Sequence, residues 1–262
     1  MAVSKDSTKR SRKVITSLPT ASFFNNSLDF ILRLILTIDI LKKLVVYCLV
    51  VFFVSLLTDI QRPMKSYFSD KNNALNQYFV KLGWGWTLSA VLVLVLLTKI
   101  IEHKELRNLS SAIIRLSLAT AYWYICANGF VWIDGATSSC TNPKAVTKSS
   151  CIEEGHTWIG FDISGHCFLL AFCSSVINEE SQVLHQVSKR IDSIERNNTS
   201  SSKETSYRIL IRLIMVCLVF LTIIWEVMLF STSLYFHTTV QKMLGLLFAI
   251  VGWFVIYRVK SL

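Results

Sequence analysis

Six long apolar stretches constrain the fold of this chain more than any other feature. The hydrocarbon core of a bilayer takes about 20 mostly apolar residues per helix. Stretches that meet or approach this length are 41–60, 78–100, 109–133, 158–177, 209–236 and 238–260. Only 17% of the 262 residues are charged, compared with about 25% in soluble domains. We therefore predict an all-α polytopic membrane protein, with six transmembrane helices forming one domain over residues 41–262.

The first 40 residues differ in character from this predicted domain. They are rich in Lys, Arg, Ser and Thr and show no short apolar core followed by a small-residue cleavage site. We therefore expect no cleaved signal peptide. Residues 28–41 are apolar but are interrupted by Asp29, Arg33 and Asp39, which favours a helix lying in the interface. Residues 1–40 are accordingly predicted to be a basic cytosolic segment with a candidate interfacial helix.

The distribution of Lys and Arg predicts the orientation, because basic flanks tend to stay in the cytosol. With both termini cytosolic, 20 of the 27 basic residues fall on the cytosolic side and seven on the other. This topology makes 134–157 a lumenal loop and 178–208 a cytosolic loop. The net charge of +10 would then favour anionic lipid over nucleic acid. No nucleic-acid motif is visible, and no nucleic-acid partner is expected.

Seven cysteines are present, and two of them, Cys140 and Cys151, lie outside the predicted spans on the oxidising side. A disulfide between them is the favoured interpretation, with two free thiols as the alternative. The other five cysteines are interpreted as small apolar fillers. No two-residue spacing of Cys or His occurs, so we expect neither a metal site nor a cofactor.

His166 and His237 lie at same-side ends of two different predicted spans. Ionisable side chains are expensive in a membrane and tend to be functional, and the predicted topology places both at the lumenal face. We therefore expect them to form one site. Asp162 precedes His166 by four residues, so on a continuing helix its carboxylate would fix the imidazole tautomer. The alternative is that the two pair only to lower their cost of burial.

Ser164 and Gly165 directly precede the first histidine. A hydroxyl and backbone N–H groups at a helix start could hold an anion. Two histidines can also divide a phosphoryl transfer, because one attacks phosphorus while the other protonates the leaving oxygen. Taken alone, His237 could instead be an interfacial residue without a catalytic role.

Several strings, in a fixed order, carry a resemblance to a known family. They are Asn76-Gln77-Tyr78-Phe79-Val80-Lys81 followed by Trp84 and Trp86, then Trp123-Tyr124-Ile125-Cys126, then Gly160 to His166 with Phe168-Leu169-Leu170, and finally Tyr235-Phe236-His237. From about residue 41 onwards the chain resembles the fat storage-inducing transmembrane protein family. The resemblance implies a six-span protein of the endoplasmic reticulum, related to lipid phosphate phosphatases and needed for lipid droplet formation.

The activity that this resemblance implies is cleavage of fatty acyl-CoA at its diphosphate. The products would be acyl 4′-phosphopantetheine and adenosine 3′,5′-bisphosphate. His166 matches the general acid of the second phosphatase motif, and His237 matches the nucleophile of the third. Asp162 joins them in the predicted catalytic set.

The chain also departs from the wider phosphatase pattern. Ile163 stands where Pro is usual, Ser231 where Arg is usual and Gln241 where Asp is usual, and Ser55 occupies the position of the first-motif Lys. The cation that would bind phosphate is therefore unassigned. Lys81 is our preferred candidate, although a Lys at a span end could simply snorkel to the interface. The predicted substrate-binding residues are Ser164, Gly165, Lys81 and Asn76.

We therefore expect a lumenal acyl-CoA diphosphatase of the endoplasmic reticulum membrane that supports lipid droplet formation and membrane homeostasis. A rival prediction is a non-catalytic protein that binds diacylglycerol and triacylglycerol or shapes the membrane. A third is a transporter built around Glu226, an acid in the middle of a predicted span. The sequence does not identify protein partners.

Overall fold

The computed structural model describes residues 20–61, 63–102, 106–141, 147–187, 189 and 202–259. The α-helices are α1 (Thr20–Leu36), α2 (Ile40–Ile60), α3 (Gly83–Glu102), α4 (Leu106–Thr137), α5 (Lys148–Glu153), α6 (Gly165–Ser181), α7 (Ser202–Tyr235) and α8 (Thr239–Tyr257). A 3-10 turn (Tyr67–Ser69) and a π-helical turn (Leu75–Val80) precede α3. Two short strands, β1 (Ser139–Cys140) and β2 (Trp158–Ile159), pair antiparallel.

Within these residues, four helical segments are long and apolar enough to cross a membrane. They are Ile40–Ile60, Leu109–Thr137, Ser206–Tyr235 and Thr239–Tyr257. The apolar part of α3, Gly83–Lys99, is shorter, and α6 has 17 residues. The predicted all-α membrane fold is confirmed. Six spans and cytosolic termini remain predictions.

Helix α6 lies at the centre of the bundle, packed against α8, α7 and α3. Thirteen of its 17 residues are buried, and the Phe168 and Phe172 rings stack 5.6 Å apart. Its polar residues have partners inside the protein. The Asn178 Nδ2 donates to the Leu36 and Ile38 carbonyls at 3.1 and 2.9 Å. Because α6 is surrounded by protein, it can carry polar groups that a lipid-facing helix could not.

The predicted span 158–177 is wrong at its start. Trp158 pairs with Cys140 in the small sheet, and α6 begins only at Gly165. A Cβ atom at Gly160 would overlap the side chains of Ser138 and Asp134, so the extended segment runs directly against the end of α4. This contact and the strand pairing keep residues 158–164 out of the helix.

The predicted span 78–100 also begins elsewhere. The chain forms the π-helical turn over Leu75–Val80, and α3 starts at Gly83. The Asn73 side chain accepts the backbone N–H of Asn76 at 2.8 Å, which begins this turn before the predicted boundary. The turn places polar residues of this segment beside the start of α6.

The candidate interfacial helix corresponds to α1, which begins earlier than predicted, at Thr20. Asp29 accepts two hydrogen bonds from the Arg212 guanidinium, both at 2.7 Å. Leu32 and Leu36 are buried. The helix therefore docks on α7 through Asp29, one of the charged residues that interrupt its apolar pattern. Its position in the membrane interface remains a prediction.

Candidate active site

His237 lies in the turn that connects α7 to α8, with φ at 58°. This left-handed region is unfavourable for a residue with a Cβ, and such strain is found mainly at functional sites. The turn is held by α8, since the Thr238 N–H donates to Gln241 Oε1 at 2.9 Å. The backbone therefore fixes the direction in which the His237 side chain leaves the turn.

His166 is the second residue of α6, and Ser164 caps this helix. The Ser164 Oγ accepts the Cys167 N–H at 3.3 Å, while the Ser164 N–H donates to the Gln241 carbonyl at 3.1 Å. A Cβ at Gly245 would overlap the Ser164 carbonyl oxygen, so only Gly permits this close approach. The starts of α6 and α8, and with them the two histidines, are thereby held side by side.

The structure pairs Asp162 with His237. The Asp162 Oδ2 lies 3.6 Å from His237 Nδ1. The predicted pairing with His166 assumed a continuous helix, but α6 starts at Gly165, three residues after the acid. Gln241 stands where the phosphatase pattern has Asp, and its side chain accepts the Thr238 backbone N–H. An acid from a different segment therefore lies at the histidine that matches the nucleophile.

His166 has a different partner, Asn76. The His166 Nε2 lies 2.7 Å from Asn76 Oδ1. The Asn76 Nδ2 donates to the Lys71 carbonyl at 2.6 Å, which turns its oxygen toward the imidazole. The Nε2 of His166 must then carry the hydrogen, and in the neutral ring Nδ1 keeps its lone pair.

The two histidines line one cavity of about 710 Å³, within the roughly 300–1,000 Å³ typical of ligand pockets. Asp162, Asn76, Gly165 and Lys81 line the same cavity. Helices α4 and α6 add an apolar wall of Trp123, Ala127, Phe130, Val131, Phe168 and Leu169. Ser164 is fully buried and is absent from the lining, so its role is to cap α6 rather than to contact a ligand.

Positive charge reaches the cavity from the segment before α3. Lys71 and Lys81 both line it, and the Lys81 Nζ donates to Gln77 Oε1 at 2.7 Å. Ser55 and Ser231, at the positions of the phosphatase cations, are buried. Sequence reasoning missed Lys71, although its place five residues before Asn76 in a polar segment was a usable signal.

The electrostatic environment of His237 favours its neutral form. Burial lowers the pKa of His237, and the nearby Lys71 ammonium lowers it further, whereas the Asp162 carboxylate raises it. The net pKa is below the ordinary value. A neutral imidazole has a lone pair available for nucleophilic attack, which a protonated ring lacks.

Cys140 and Cys151 are joined by a disulfide, with their Cα atoms 5.8 Å apart. The strand that contains Cys140 pairs with β2, and just after β2 the Phe161 N–H donates to Thr137 Oγ1 at the end of α4 at 3.0 Å. Phe161 directly precedes Asp162, so the strand pairing and this hydrogen bond support the segment that carries the acid. Among the described residues, no group of three or more His, Cys, Asp or Glu is arranged to hold a metal ion.

Apolar helices around a cavity that holds two histidines from separate segments define a multi-pass membrane protein with a candidate catalytic centre. The chain belongs to the fat storage-inducing transmembrane protein family, whose sequence profile matches residues 64–137 and 132–257.

Curated relatives support this assignment. The chain is 37% identical over 214 residues to acyl-coenzyme A diphosphatase FITM2 of Xenopus laevis, covering 78% of this chain and 76% of the relative. It is 39% identical over 215 residues to the protein of the same name from Homo sapiens, with the same coverage. With the Drosophila melanogaster protein of that name it shares 32% identity over 243 residues, covering 82% and 57%. No solved structure matches the chain.

Proposed function

We propose that this chain is an acyl-CoA diphosphatase of the endoplasmic reticulum membrane. It would cleave fatty acyl-CoA to acyl 4′-phosphopantetheine and adenosine 3′,5′-bisphosphate, in support of lipid droplet formation and membrane homeostasis. One observation carries the proposal: His166 and His237 come from separate segments and line one cavity, in a chain whose relatives are named acyl-coenzyme A diphosphatases.

In this proposal His237 is the nucleophile. Asp162 lies at its Nδ1, which leaves Nε2 to form a bond to phosphorus as the bond from phosphorus to the leaving oxygen breaks. His166 donates a proton to that oxygen from Nδ1, because its Nε2 is held by Asn76. The bound anionic diphosphate favours the imidazolium form that this step needs. Water then hydrolyses the phospho-histidine, with His166 as the base.

Lys71 and Lys81 would neutralise the diphosphate, and the N–H groups at the start of α6, beginning with Gly165, would add hydrogen-bond donors. Asn76 orients His166, and Ser164 acts through the helix that it caps. This assignment changes Ser164 from a predicted substrate ligand into a positioning residue.

The site can be tested directly by turnover. Purified protein in detergent should convert oleoyl-CoA into the two named products, detected by mass spectrometry. Failure of folded protein to release either product would exclude the diphosphatase function. The alternative of a non-catalytic protein that binds diacylglycerol or triacylglycerol, or shapes the membrane, would then stand, supported by the apolar wall of the cavity.

A transporter built around Glu226 has less support. The Tyr47 hydroxyl donates to Glu226 Oε1 at 2.9 Å, and the Lys43 Nζ lies 3.1 Å from the same oxygen. Tyr47 also shares a hydrogen bond with Ser174 at 2.7 Å. The acid is 43% exposed, whereas Lys43 is buried, so Glu226 compensates a buried ammonium group, which is a structural role.

We further propose six spans over residues 41–262, with residues 1–40 and the 178–208 loop in the cytosol and the 134–157 loop in the lumen. Protease added to intact microsomes should then cleave within 189–212 and spare 134–157. The distribution of basic residues and the disulfide, a bond of oxidising compartments, support this orientation. The reverse cleavage pattern would place the histidines in the cytosol.

The bridge between Cys140 and Cys151 should contribute up to about 3 kcal/mol to stability in the chain-entropy model. Cys140→Ser should therefore lower the melting temperature in detergent. Thiol labelling of denatured wild-type protein should tag both cysteines only after reduction. The Cys217→Ser variant is a suitable control, because that thiol is free and exposed. Equal labelling with and without reductant would contradict the bridge.

Asp162→Asn should slow turnover and also shift its pH dependence. Loss of a charged partner costs about 1.5 kcal/mol or more, so we expect roughly tenfold slower turnover. The Asp162 carboxylate raises the pKa of His237. Its removal lowers that pKa further, so the acid limb of kcat/KM should move to lower pH. An unchanged acid limb would show that Asp162 does not act through His237.

A further inference from the structure

His237 borders a second cavity besides the one it shares with His166. This cavity measures about 590 Å³. It lies between the segment that ends α2 and the turn from α7 to α8, and its polar lining includes Thr58, Asp59, Lys65, Ser69, Tyr235 and Thr238. His166 does not line it. His237 therefore lines two separate cavities.

The two cavities differ in the chemistry of their walls. The first has an apolar side built from α4 and α6, and Val131 on that side is 75% exposed at the bundle surface. In the second, most lining residues carry hydroxyl, amide, carboxylate or ammonium groups, and the rest of the lining includes Tyr235, Pro63 and Leu234. An acyl chain suits the first wall, whereas a sugar, a heterocycle and a phosphate suit the second.

We propose that the second cavity binds the adenosine 3′,5′-bisphosphate half of acyl-CoA, and that His237 attacks the phosphorus of that half. The inference rests on the diphosphatase function proposed above. It specifies where each half of the substrate lies and which of its two phosphorus atoms reacts.

The position of the acid decides between the two phosphorus atoms. A general acid must lie beside the oxygen that leaves, and His166 lines only the first cavity. The leaving group is therefore the half in the first cavity, acyl 4′-phosphopantetheine. The nucleotide half stays attached to His237, which also borders the second cavity.

The bonds balance in two steps. The His237 Nε2 forms a bond to the nucleotide 5′-phosphorus, and the bond from that phosphorus to the bridging oxygen breaks. The bridging oxygen keeps the electron pair and takes a proton from His166. Water then attacks the same phosphorus and gives its proton to His166, the P–N bond breaks, and adenosine 3′,5′-bisphosphate is released.

Individual groups of the second cavity suit the nucleotide. Lys65 is exposed at the rim and can pair with the 3′-phosphate. The Asp59 Oδ2 accepts the Thr239 hydroxyl at 2.6 Å, which holds the carboxylate in place to accept from a ribose hydroxyl or the adenine amino group. The Tyr235 ring offers a surface for the base.

A single turnover of oleoyl-CoA in ¹⁸O-labelled water identifies the phosphorus that is attacked. Mass spectrometry should find the label in adenosine 3′,5′-bisphosphate and not in oleoyl 4′-phosphopantetheine. Label in the phosphopantetheine product would overturn the inference and leave the diphosphatase function intact. The position of the label is independent of whether a covalent intermediate forms, so the two proposals can fail separately.

Lys65→Ala tests the cavity itself. This variant should raise KM for oleoyl-CoA and weaken inhibition by adenosine 3′,5′-bisphosphate, each by roughly tenfold, the value of one charge-assisted hydrogen bond. KM for oleoyl-dephospho-CoA, which lacks the 3′-phosphate, should not change. Lys65→Arg should retain most of the affinity, and Lys42→Ala, at the other end of α2, is the control for loss of an exposed charge.

Equal loss of affinity for both substrates, or no loss for either, would place the 3′-phosphate elsewhere. If the wild-type protein shows no turnover, the diphosphatase proposal fails. Direct binding of adenosine 3′,5′-bisphosphate to wild type and Lys65→Ala then decides the cavity assignment, because equal binding would overturn it.

Discussion

His237→Ala is expected to abolish turnover of acyl-CoA, with a loss of more than about 10³-fold. The same variant should form no acid-labile phospho-enzyme. The physical reason is that the substitution removes the phosphoryl acceptor. No other described histidine lines both cavities and could replace it. The measurement is rapid-quench single turnover, with the phospho-enzyme followed by acid and base stability.

Alanine at this position keeps the Cβ and adds no bulk, so the backbone at residue 237, with φ at 58°, should carry a strain similar to that in the wild type. The variant should therefore fold, which gel filtration would check. His156→Ala is a matched control, since His156 is exposed in the loop that precedes α6. Near wild-type rates for folded His237→Ala would show that this histidine is structural.

His166→Ala is expected to slow the chemical step by about 10²–10⁴-fold, the contribution typical of general acid–base catalysis. In contrast to His237→Ala, it should still form some phospho-enzyme, because the nucleophile remains. Its effect should depend on the leaving group. His166→Ala should slow the first step much less for a 4-nitrophenyl phosphodiester, whose leaving group needs no proton, than for oleoyl-CoA.

Asn76→Ala separates positioning from acid catalysis in the same experiment. It leaves the imidazole in place but removes the acceptor of its Nε2–H, 2.7 Å away, so the penalty should be smaller than for His166→Ala and follow the same leaving-group pattern. If His166→Ala slows both substrates equally, His166 acts by holding α6 or the substrate and not as the acid.

The membrane class and the approximate site followed from local sequence signals. Long apolar stretches are set by the thickness of the bilayer, so they can be recognised without knowing which helices touch. The histidines were found because ionisable residues at span ends are costly. The start of α6 was misplaced because the apolar residues Trp158 and Ile159 pair with β1, a contact between segments that hydropathy does not report.

What the sequence by itself determined is the helical membrane fold, the family and the pair of histidines. Only the tertiary structure decided that Asp162 lies at His237, that Asn76 orients His166 and that Lys71 joins Lys81 at the cavity. It also showed that α6 can keep Asn178 and Glu180 because both are enclosed by protein. The physical reason is that these contacts join segments up to 142 residues apart, and packing, not local periodicity, brings such segments together.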